Sequence, residues 1–547
     1  MDLVSKIIKY HEETKHHFQR PARGPGYMDW ANQPNPFRKF FGAPFIPLPK
    51  VTRDESPPYL KLFSCGAVDP APLTVHSISR FFELSLSISA WKQFGDSRWA
   101  LRCNPSSGNL HPTEGYAVLP AVDEIHAAPG VYHYAPREHG LERRTEFSNE
   151  LWQDLMKGFP EGSFLAGFSS IHWREAWKYG ERAFRYCQHD IGHALAAYRI
   201  AAAGLGWNLV LMDGVGDDLI STLFGLDRNE DFEKAEREHP DLVALVFPGI
   251  VKDSVSLNLR GAAIKKIGAG VWQGKANGLS SAFRPWEIIE MVSAASLKTC
   301  EDFPQVHFEW RHEIPIVSKE NLSKREKITT REIVRQRRSA VAMDGRTTIT
   351  RADFYAALAQ TLHRMPMDSL PWSPRIHLCL YVHRVVDVPP GLYFLARDPV
   401  KLPRLQESCY SEFLWEKPDG CPEWMELYLL QEGDLRRTSA MVSCTQDIAG
   451  QGVFSLGMIA EFEPSLKEFG PWFYRRLFWE SGMVGQMLYL AAEFMGIRST
   501  GIGCYFDDPV HQILGIQDKT FQSLYHFTLG GPVDDTRLTT LPPYPDE

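Results

Sequence analysis

Four short stretches carry residue types suited to holding a charged, planar ligand. Arg102-Cys103-Asn104-Pro105-Ser106-Ser107-Gly108-Asn109-Leu110-His111-Pro112 places hydroxyls and an amide beside glycine, just before the strand-like Tyr116-Ala117-Val118-Leu119. Such a loop lets backbone N–H groups and short polar side chains approach a flat polar ligand, and the same composition also makes an ordinary turn. Arg335-Gln336-Arg337-Arg338-Ser339 reads as the beginning of a helix in the second half and supplies guanidinium forks and a hydroxyl that suit a phosphate, or else a solvated basic helix end. Thr500-Gly501-Ile502-Gly503-Cys504 and Thr528-Leu529-Gly530-Gly531 through Arg537 could bring backbone amides to a ring or phosphate, with Arg537 neutralising charge; turns and a strand end are the plain alternative. Neither glycine-rich fragment completes G-x-G-x-x-G, so no Rossmann dinucleotide site is predicted. His11, His16 and His17 lack matching Cys, Asp or Glu spacing, and no metal site is predicted.

The elements that must position these residues occur twice. Asp190 through Gly225 overlays Glu480 through Gly515 at one offset, 480 − 190 = 290 residues, matching Ala201-Ala202 to Ala491-Ala492, Gly206 to Gly496 and Asp217-Asp218 to Asp507-Asp508. Each copy reads as a buried helix ending near glycine, a short strand, an acidic turn and a small helix. Pro129-Gly130-Val131-Tyr132 likewise matches Pro390-Gly391-Leu392-Tyr393. The reading is therefore two homologous α+β halves, 55–255 and 325–547, with an N-terminal arm over 1–54 and a connector over 256–324. Within the connector, Trp272-Gln273-Gly274 and Leu279-Ser280-Ser281 read as loop, and Pro285 through Val292 as a helix. Two similar halves joined covalently predict an intramolecular pseudo-dimer, whose interface is a natural place for a shared site.

Composition narrows the function classes. The 547 residues are 44% hydrophobic, 12% aromatic and 23% charged, which are globular proportions. Lys plus Arg at 59 against Asp plus Glu at 67 leaves a net charge of −8, without the basic footprint of a general nucleic-acid binder. The N-terminal residues form no apolar signal segment, and the most apolar stretch, Ala194 to Met212, is broken by Arg199 and Asn208, so no membrane partner is predicted. Nine scattered cysteines without a C-x-x-C pair fit a reducing, cytoplasmic setting.

As a set, Pro105 through Pro112, the Arg337-Arg338-Ser339 entry and the glycine-rich C-terminal strand resemble the nitroreductase superfamily. Lys178-Tyr179-Gly180-Glu181-Arg182 leading into His189-Asp190-Ile191-Gly192-His193, with the arm Tyr10 through His16, sharpens that likeness toward the SagB-type dehydrogenases. The resemblance covers nearly the whole chain as a tandem arrangement. It implies an α+β fold in which two protomers build FMN sites at their interface. Carried onto this chain, Arg337, Arg338, Ser339 and Arg537 would hold the FMN phosphate, and Gly501, Ile502 and Gly503 would run near the ring. Ser106, Ser107 and Asn109 would enter from the first half. The reciprocal site reads as eroded: Ser77-Ile78-Ser79-Arg80 stands in for the Arg-Arg-Ser entry, and Asp368 through Pro374 replaces the Pro-Ser-Ser-Gly-Asn string. The expectation is one FMN per chain.

The resemblance also implies the chemistry. Flavin would exchange hydride with an organic substrate, and Lys178 and Tyr179 would handle protons as the Lys-Tyr pair of the SagB-type azoline oxidases does. His189 and His193 would touch the flavin or serve as core histidines. Three functions remain open: an NAD(P)H-driven reductase of a small molecule, an azoline dehydrogenase of a modified peptide, and a non-catalytic flavin-binding or scaffold protein.

Overall fold

The structure is a computed structural model that describes residues 2–64, 66–249, 259–299, 325–362 and 365–544. The expected junction at 255/256 and the connector segment 300–324 lie outside the described residues. The strands used below are β1 (Phe45–Pro47), β2 (Ile88–Phe94), β3 (Ser97–Arg102), β4 (Thr113–Leu119), β5 (Gly130–Ala135), β6 (Gly140–Glu146), β7 (Phe164–Ser170), β8 (Trp207–Leu211) and β9 (His239–Pro248). They continue with β10 (Ile376–Val382), β11 (Gly391–Leu395), β12 (Leu427–Glu432), β13 (Phe454–Glu461), β14 (Arg498–Ile502), β15 (Phe521–Gly530) and β16 (Thr539–Leu541). The helices are α1 (Leu3–Glu13), α2 (Val75–Glu83), α3 (His172–Tyr179), α4 (Ala183–Ala203), α5 (Asp217–Phe224), α6 (Thr330–Gln336), α7 (Arg351–Ala359), α8 (Phe473–Met495) and α9 (Asp507–Leu514).

Two antiparallel sheets share one strand order. The first runs β1-β6-β5-β4-β7-β9-β8 and the second β12-β11-β10-β13-β15-β14, so the first differs only by an edge strand lent by the N-terminal arm. Most of these strands are buried along their whole length, as expected where both faces of a sheet are covered. The repeat extends to irregularities. The β5–β6 and β11–β12 pairings both shift register at the aromatic end of the Pro-Gly-x-Tyr strings, between Val131 and Tyr132 and between Leu392 and Tyr393. Gly225 and Gly515 both close their helices in the left-handed conformation, which is why glycine recurs there.

The long helices α4 and α8 are buried almost throughout, and they cross at two matched glycines. A Cβ on Gly192 would lie 2.1 Å from the Trp479 carbonyl oxygen, and one on Gly482 would lie 2.2 Å from the His189 carbonyl oxygen. Reciprocal ion pairs flank this crossing. Arg185 of α4 holds Asp507 of α9 at 2.8 Å, and Arg475 of α8 holds Asp217 of α5 at 2.5 Å. One apolar core runs through both halves, joining Phe81, Leu195 and Tyr198 to Phe478, Met487 and Leu488.

Two segments strap the halves together, and a third joins them in sequence. The C-terminal β16 adds to the β2–β3 hairpin of the first half. Helix α1 sits against the second half, where Lys15 bonds Asp508 at 2.9 Å and the His16 amide bonds Asp507 at 3.0 Å. The predicted connector helix is present as Glu287–Ala295. No helix among the described residues is long and apolar enough to cross a membrane.

Candidate functional site

The loop between β3 and β4 is a tight, self-bonded structure. Gly108, Asn109 and His111 all have positive φ, at 58°, 61° and 52°, and the latter two are non-glycine residues for which this region is unfavourable. Side-chain bonds hold that shape. The His111 N–H donates to Ser106 Oγ at 2.8 Å, and the Asn109 amide donates to the Ala100 carbonyl at 2.9 Å while its oxygen meets His111 Nε2 at 3.0 Å. The Ser107 N–H and hydroxyl both donate to Asp190 of α4, at 3.1 and 3.0 Å. The three polar side chains singled out from sequence thus brace the loop, and Gly108 is left at its tip.

Lys178 and Tyr179, at the end of α3, meet that tip. A Cβ on Gly108 would lie 2.5 Å from the Tyr179 hydroxyl and 3.0 Å from Lys178 Nζ, so only glycine fits here. Lys178 Nζ lies 5.1 Å from the centre of the Tyr179 ring, and burial raises the Tyr179 pKa. Behind them Asp190 is fully buried, and burial pushes its pKa up to about 7 against the lowering hydrogen bonds from Ser106 and Ser107. Glu175 of α3 is also buried. Its carboxyl oxygens have no partner among the described residues, and burial followed by the nearby Asp190 raises its pKa well above the carboxylate range. Asp190 stood inside a string quoted for the family likeness, but nothing in its spacing showed that it would grip the loop.

The second half supplies the opposite wall. Residues 335–339 do not begin a helix but lie at the C-terminal end of α6. Arg337, just past that end, sends its guanidinium across the interface, donating from Nε to the Cys103 carbonyl at 3.2 Å and from Nη2 to the Arg102 carbonyl at 3.1 Å. It lies over the Tyr489 ring of α8, 4.9 Å from its centre, and its Nη1 is buried without a partner among the described residues. Tyr489 links the remaining pieces, since its hydroxyl meets Ser339 Oγ at 2.8 Å and accepts from the Gly501 N–H at 3.0 Å. Gly501 and Gly503 are forced by neighbouring rings: a Cβ would fall 2.0 Å from the Tyr525 hydroxyl or 2.5 Å from Tyr186 Cε1. Tyr186 also donates to the Gly503 carbonyl at 3.1 Å and packs edge-on against Tyr179, 4.7 Å between centres, which closes the circuit between the halves. Ile502 is buried between these glycines. His189 stacks on Tyr525 at 4.1 Å, and His193 bonds the same hydroxyl at 3.2 Å; burial lowers the pKa of both histidines.

Cations gather beside Ser339. Arg338 reaches Ser89 of the β2–β3 hairpin at 3.2 Å, and burial followed by the charge of Arg337 lowers its pKa to about 10. Lys92 of β2 is lowered by burial, then by Arg338 and Arg498. Glu493 and Asp534 offset part of this charge, at 3.9 and 2.5 Å from Arg498. Arg537 is not brought here: its side chain is 73% exposed, pairs with Asp535 at 2.7 Å and lies over Phe94. The strand after it, β16, is what joins the hairpin, and it leaves Arg537 outside. Lys92 and Arg498 are the cations that sequence reading missed, because only the fold brings the hairpin of one half beside β14 of the other.

At the reciprocal position the counterpart residues bond to other protein groups. Arg199, the counterpart of Tyr489 at the 290 offset, pairs with Asp368 at 2.8 Å. Glu480, the counterpart of Asp190, bonds Arg397, the Trp372 indole and the Arg375 amide. Ser77-Ile78-Ser79-Arg80 lies inside α2, which by its place before the sheet and its Thr74 cap corresponds to α7 with its Thr350 cap, so it is no counterpart of Arg337–Ser339. Among the described residues no group of three or more His, Cys, Asp or Glu could hold a metal ion.

Comparison with known proteins agrees with this architecture. Residues 68–235 match the model of the nitroreductase family. The chain is 32% identical over 137 residues to the trifolitoxin-processing protein TfxB of Rhizobium leguminosarum bv. trifolii, covering 22% of this chain and 35% of that protein. It is 24% identical over 156 residues to a candidate nitroreductase of Methanocaldococcus jannaschii, covering 27% of this chain and 73% of the relative. The chain thus spans only about a third of TfxB. A crystal structure of a candidate nitroreductase from Anabaena variabilis, 21% identical, superposes with a TM-score of 0.66 over 96% of this chain and 99% of that one, so the two-sheet fold recurs there at full length. With two sheets of one strand order, helices crossing at matched glycines and residues 68–235 matching the family model, the chain is similar to the nitroreductase superfamily, and the likeness to TfxB falls on the SagB-type side of it.

Proposed function

We propose that this protein is an FMN-dependent oxidoreductase with one flavin site per chain, built between unlike halves of an intramolecular pseudo-dimer. The halves are 55–255 and 325–547, with 1–54 as a strap and 256–324 as connector. The observation that carries the reading is the contact of Arg337 with the Cys103 end of the Ser-Ser-Gly loop, with Lys178 and Tyr179 at that loop's tip.

The residues present fit such a group. Arg337 keeps its buried Nη1 unpartnered among the described residues, and burial, followed by neighbouring cations, lowers the pKa values of Lys92, Arg337 and Arg338, so a phosphate would compensate these charges. Ser339 supplies a hydroxyl beside them. Gly501, Ile502 and Gly503 would border the ring, as would the loop Ser106, Ser107 and Asn109 through its backbone. When bound, FMN supplies hydride exchange with an organic substrate. Lys178 Nζ and the Tyr179 hydroxyl would hold or move the substrate proton at the Gly108 tip, and buried Asp190 would fix that loop. The ion pairs Arg199–Asp368 and Arg397–Glu480 at the reciprocal position support a stoichiometry of one.

The substrate reading we favour is a small organic acceptor reduced with NAD(P)H as donor. A second reading, dehydrogenation of an azoline ring in a modified peptide, is favoured by the Lys178–Tyr179 placement and by the likeness to a protein named for trifolitoxin processing. Gently purified protein tests both. One flavin per chain, bleached anaerobically by NADPH, supports the reductase. Bound flavin inert to NAD(P)H but reduced by an azoline peptide supports the dehydrogenase. Protein that refuses added FMN overturns the proposal in favour of a scaffold.

A further inference from the structure

Two cysteines meet outside the machinery assigned above. Cys504 follows Gly503 where the chain leaves β14 for α9, and Cys444 lies in the turn between helices Arg436–Val442 and Asp447–Gln451. Their sulfurs are 2.8 Å apart across a sequence separation of 60 residues. Among the described cysteines Cys103, Cys187 and Cys379 are buried and Cys409 and Cys421 are half-buried; Cys504 is exposed.

The meeting is built by the surrounding backbone. Cys444 and Thr445 both hold positive φ, at 55° and 58°, a conformation that neighbouring contacts must enforce on non-glycine residues. Those contacts tie the two loops together. The Gln446 amide donates to the Cys504 carbonyl at 3.0 Å and to the Ser443 carbonyl at 2.9 Å, and the Phe506 N–H donates to the Val442 carbonyl at 2.8 Å. Arg182 places a permanent cation alongside, donating to the Gly503 carbonyl and lying over the Tyr505 ring. The hydrogen bond from Cys444, then His16 and Arg182, lower the Cys504 thiol against the opposing effect of burial, and the Cys444 thiol is correspondingly raised. This is the microenvironment of an attacking thiolate with a resolving partner.

We propose that Cys444 and Cys504 are a redox-active dithiol that exchanges with small disulfides arriving at the exposed Cys504. The Cys504 thiolate attacks one sulfur of the incoming disulfide, forming a mixed disulfide as the incoming S–S bond breaks and one thiolate leaves. Cys444 loses its proton to solvent and attacks the Cys504 sulfur, forming the Cys444–Cys504 bond and expelling the second thiolate. Both thiolates take up protons, so two protein thiols are oxidised and one small disulfide is reduced to two thiols. The bond would pin the 443–446 turn to the end of the strand carrying Gly501–Gly503. None of this depends on flavin binding.

The test uses the full-length protein reduced, desalted, exposed to oxidised glutathione without oxygen, alkylated and mapped by peptide mass. The expected result is a Cys444–Cys504 cross-linked peptide in the wild type and a stable glutathione adduct on Cys504 in Cys444→Ser. In Cys504→Ser, Cys444 should remain alkylatable. At neutral pH Cys504 should alkylate roughly tenfold faster than half-buried Cys409, because a thiolate is the reactive form. Full alkylation of both cysteines in wild type after glutathione treatment would overturn the proposal. So would a Cys444→Ser protein that circular dichroism shows to be folded but that carries no adduct. Should Cys444→Ser fail to fold, the wild-type cross-link and alkylation rates decide alone.

Discussion

Individual side chains divide into those that would grip a ligand and those that shape the loop facing it. Arg337→Ala removes a charged donor and should weaken FMN binding by about 1.5–3 kcal/mol, read as a roughly ten- to hundredfold rise in Kd by fluorescence titration. Lys92→Ala should weaken it in the same direction, whereas Arg537→Ala should leave Kd within about twofold, because an exposed pair such as Arg537–Asp535 contributes little. Lys178→Ala should keep the flavin and lower turnover by about 10²–10⁴, the usual share of a proton-handling group. Flavin loss in Lys178→Ala with retention in Arg337→Ala would reverse these assignments. Asp190 gives a pH signature. Its folded pKa, about 7, stands above its ordinary 3.8, so the folded state keeps a proton that the unfolded chain releases. Stability should therefore fall as pH rises from about 4 through about 7, by on the order of 4 kcal/mol from this residue. In flavin-free protein, urea unfolding of Asp190→Asn should lack that slope.

Helices α4 and α8 show what an element contributes. Their crossing leaves no room for a side chain at Gly192 or Gly482, since a Cβ would meet backbone atoms that cannot swing away. Gly482→Ala should force the helices apart and cost about 1–3 kcal/mol, seen as a lower thermal midpoint and a weakened contact between Arg337 and the Cys103 loop. Gly496→Ala, where the added Cβ meets open space, is the control for a glycine replaced without crowding, although its φ of 76° adds strain. While their starts at Ala183 and Phe473 lie before the matched strings, the repeat made the second parts of these helices legible as buried helices ending near a glycine. Their crossing point was not, because Gly192 and Gly482 resemble any helical glycine until the partner helix is in place.

The whole molecule is tied by contacts that exist only between halves. Asp507 neutralises Arg182 and Arg185, both buried, and these cations hold its carboxyl below the carboxylate range. Asp507→Ala would leave them unpaired and should cost about 3–5 kcal/mol. Because the folded carboxyl is lowered, its contribution is present above the ordinary carboxylate pKa and is lost as the pH falls. The wild type should therefore lose more stability than Asp507→Ala on acidification, as chemical denaturation at several pH values would measure.

Sequence alone determined that the fold is made twice, because duplicated strings of small residues, acidic turns and glycine closures survive as local patterns with their own spacing. It also marked the loop at 105–112 and the Arg337–Ser339 entry, since glycine, serine and arginine in those combinations carry recognisable stereochemistry. The family likeness already set the first-half loop against the second-half Arg337 stretch, and the tertiary structure decided how they meet. It put Arg337 on the Cys103 carbonyl, spent Ser107 on Asp190, left Arg537 paired with Asp535, and paired Arg199 with Asp368 at the reciprocal position. Contacts between residues hundreds of positions apart are set by how two helices cross and which strand joins which hairpin, and no local pattern of residue types encodes that choice.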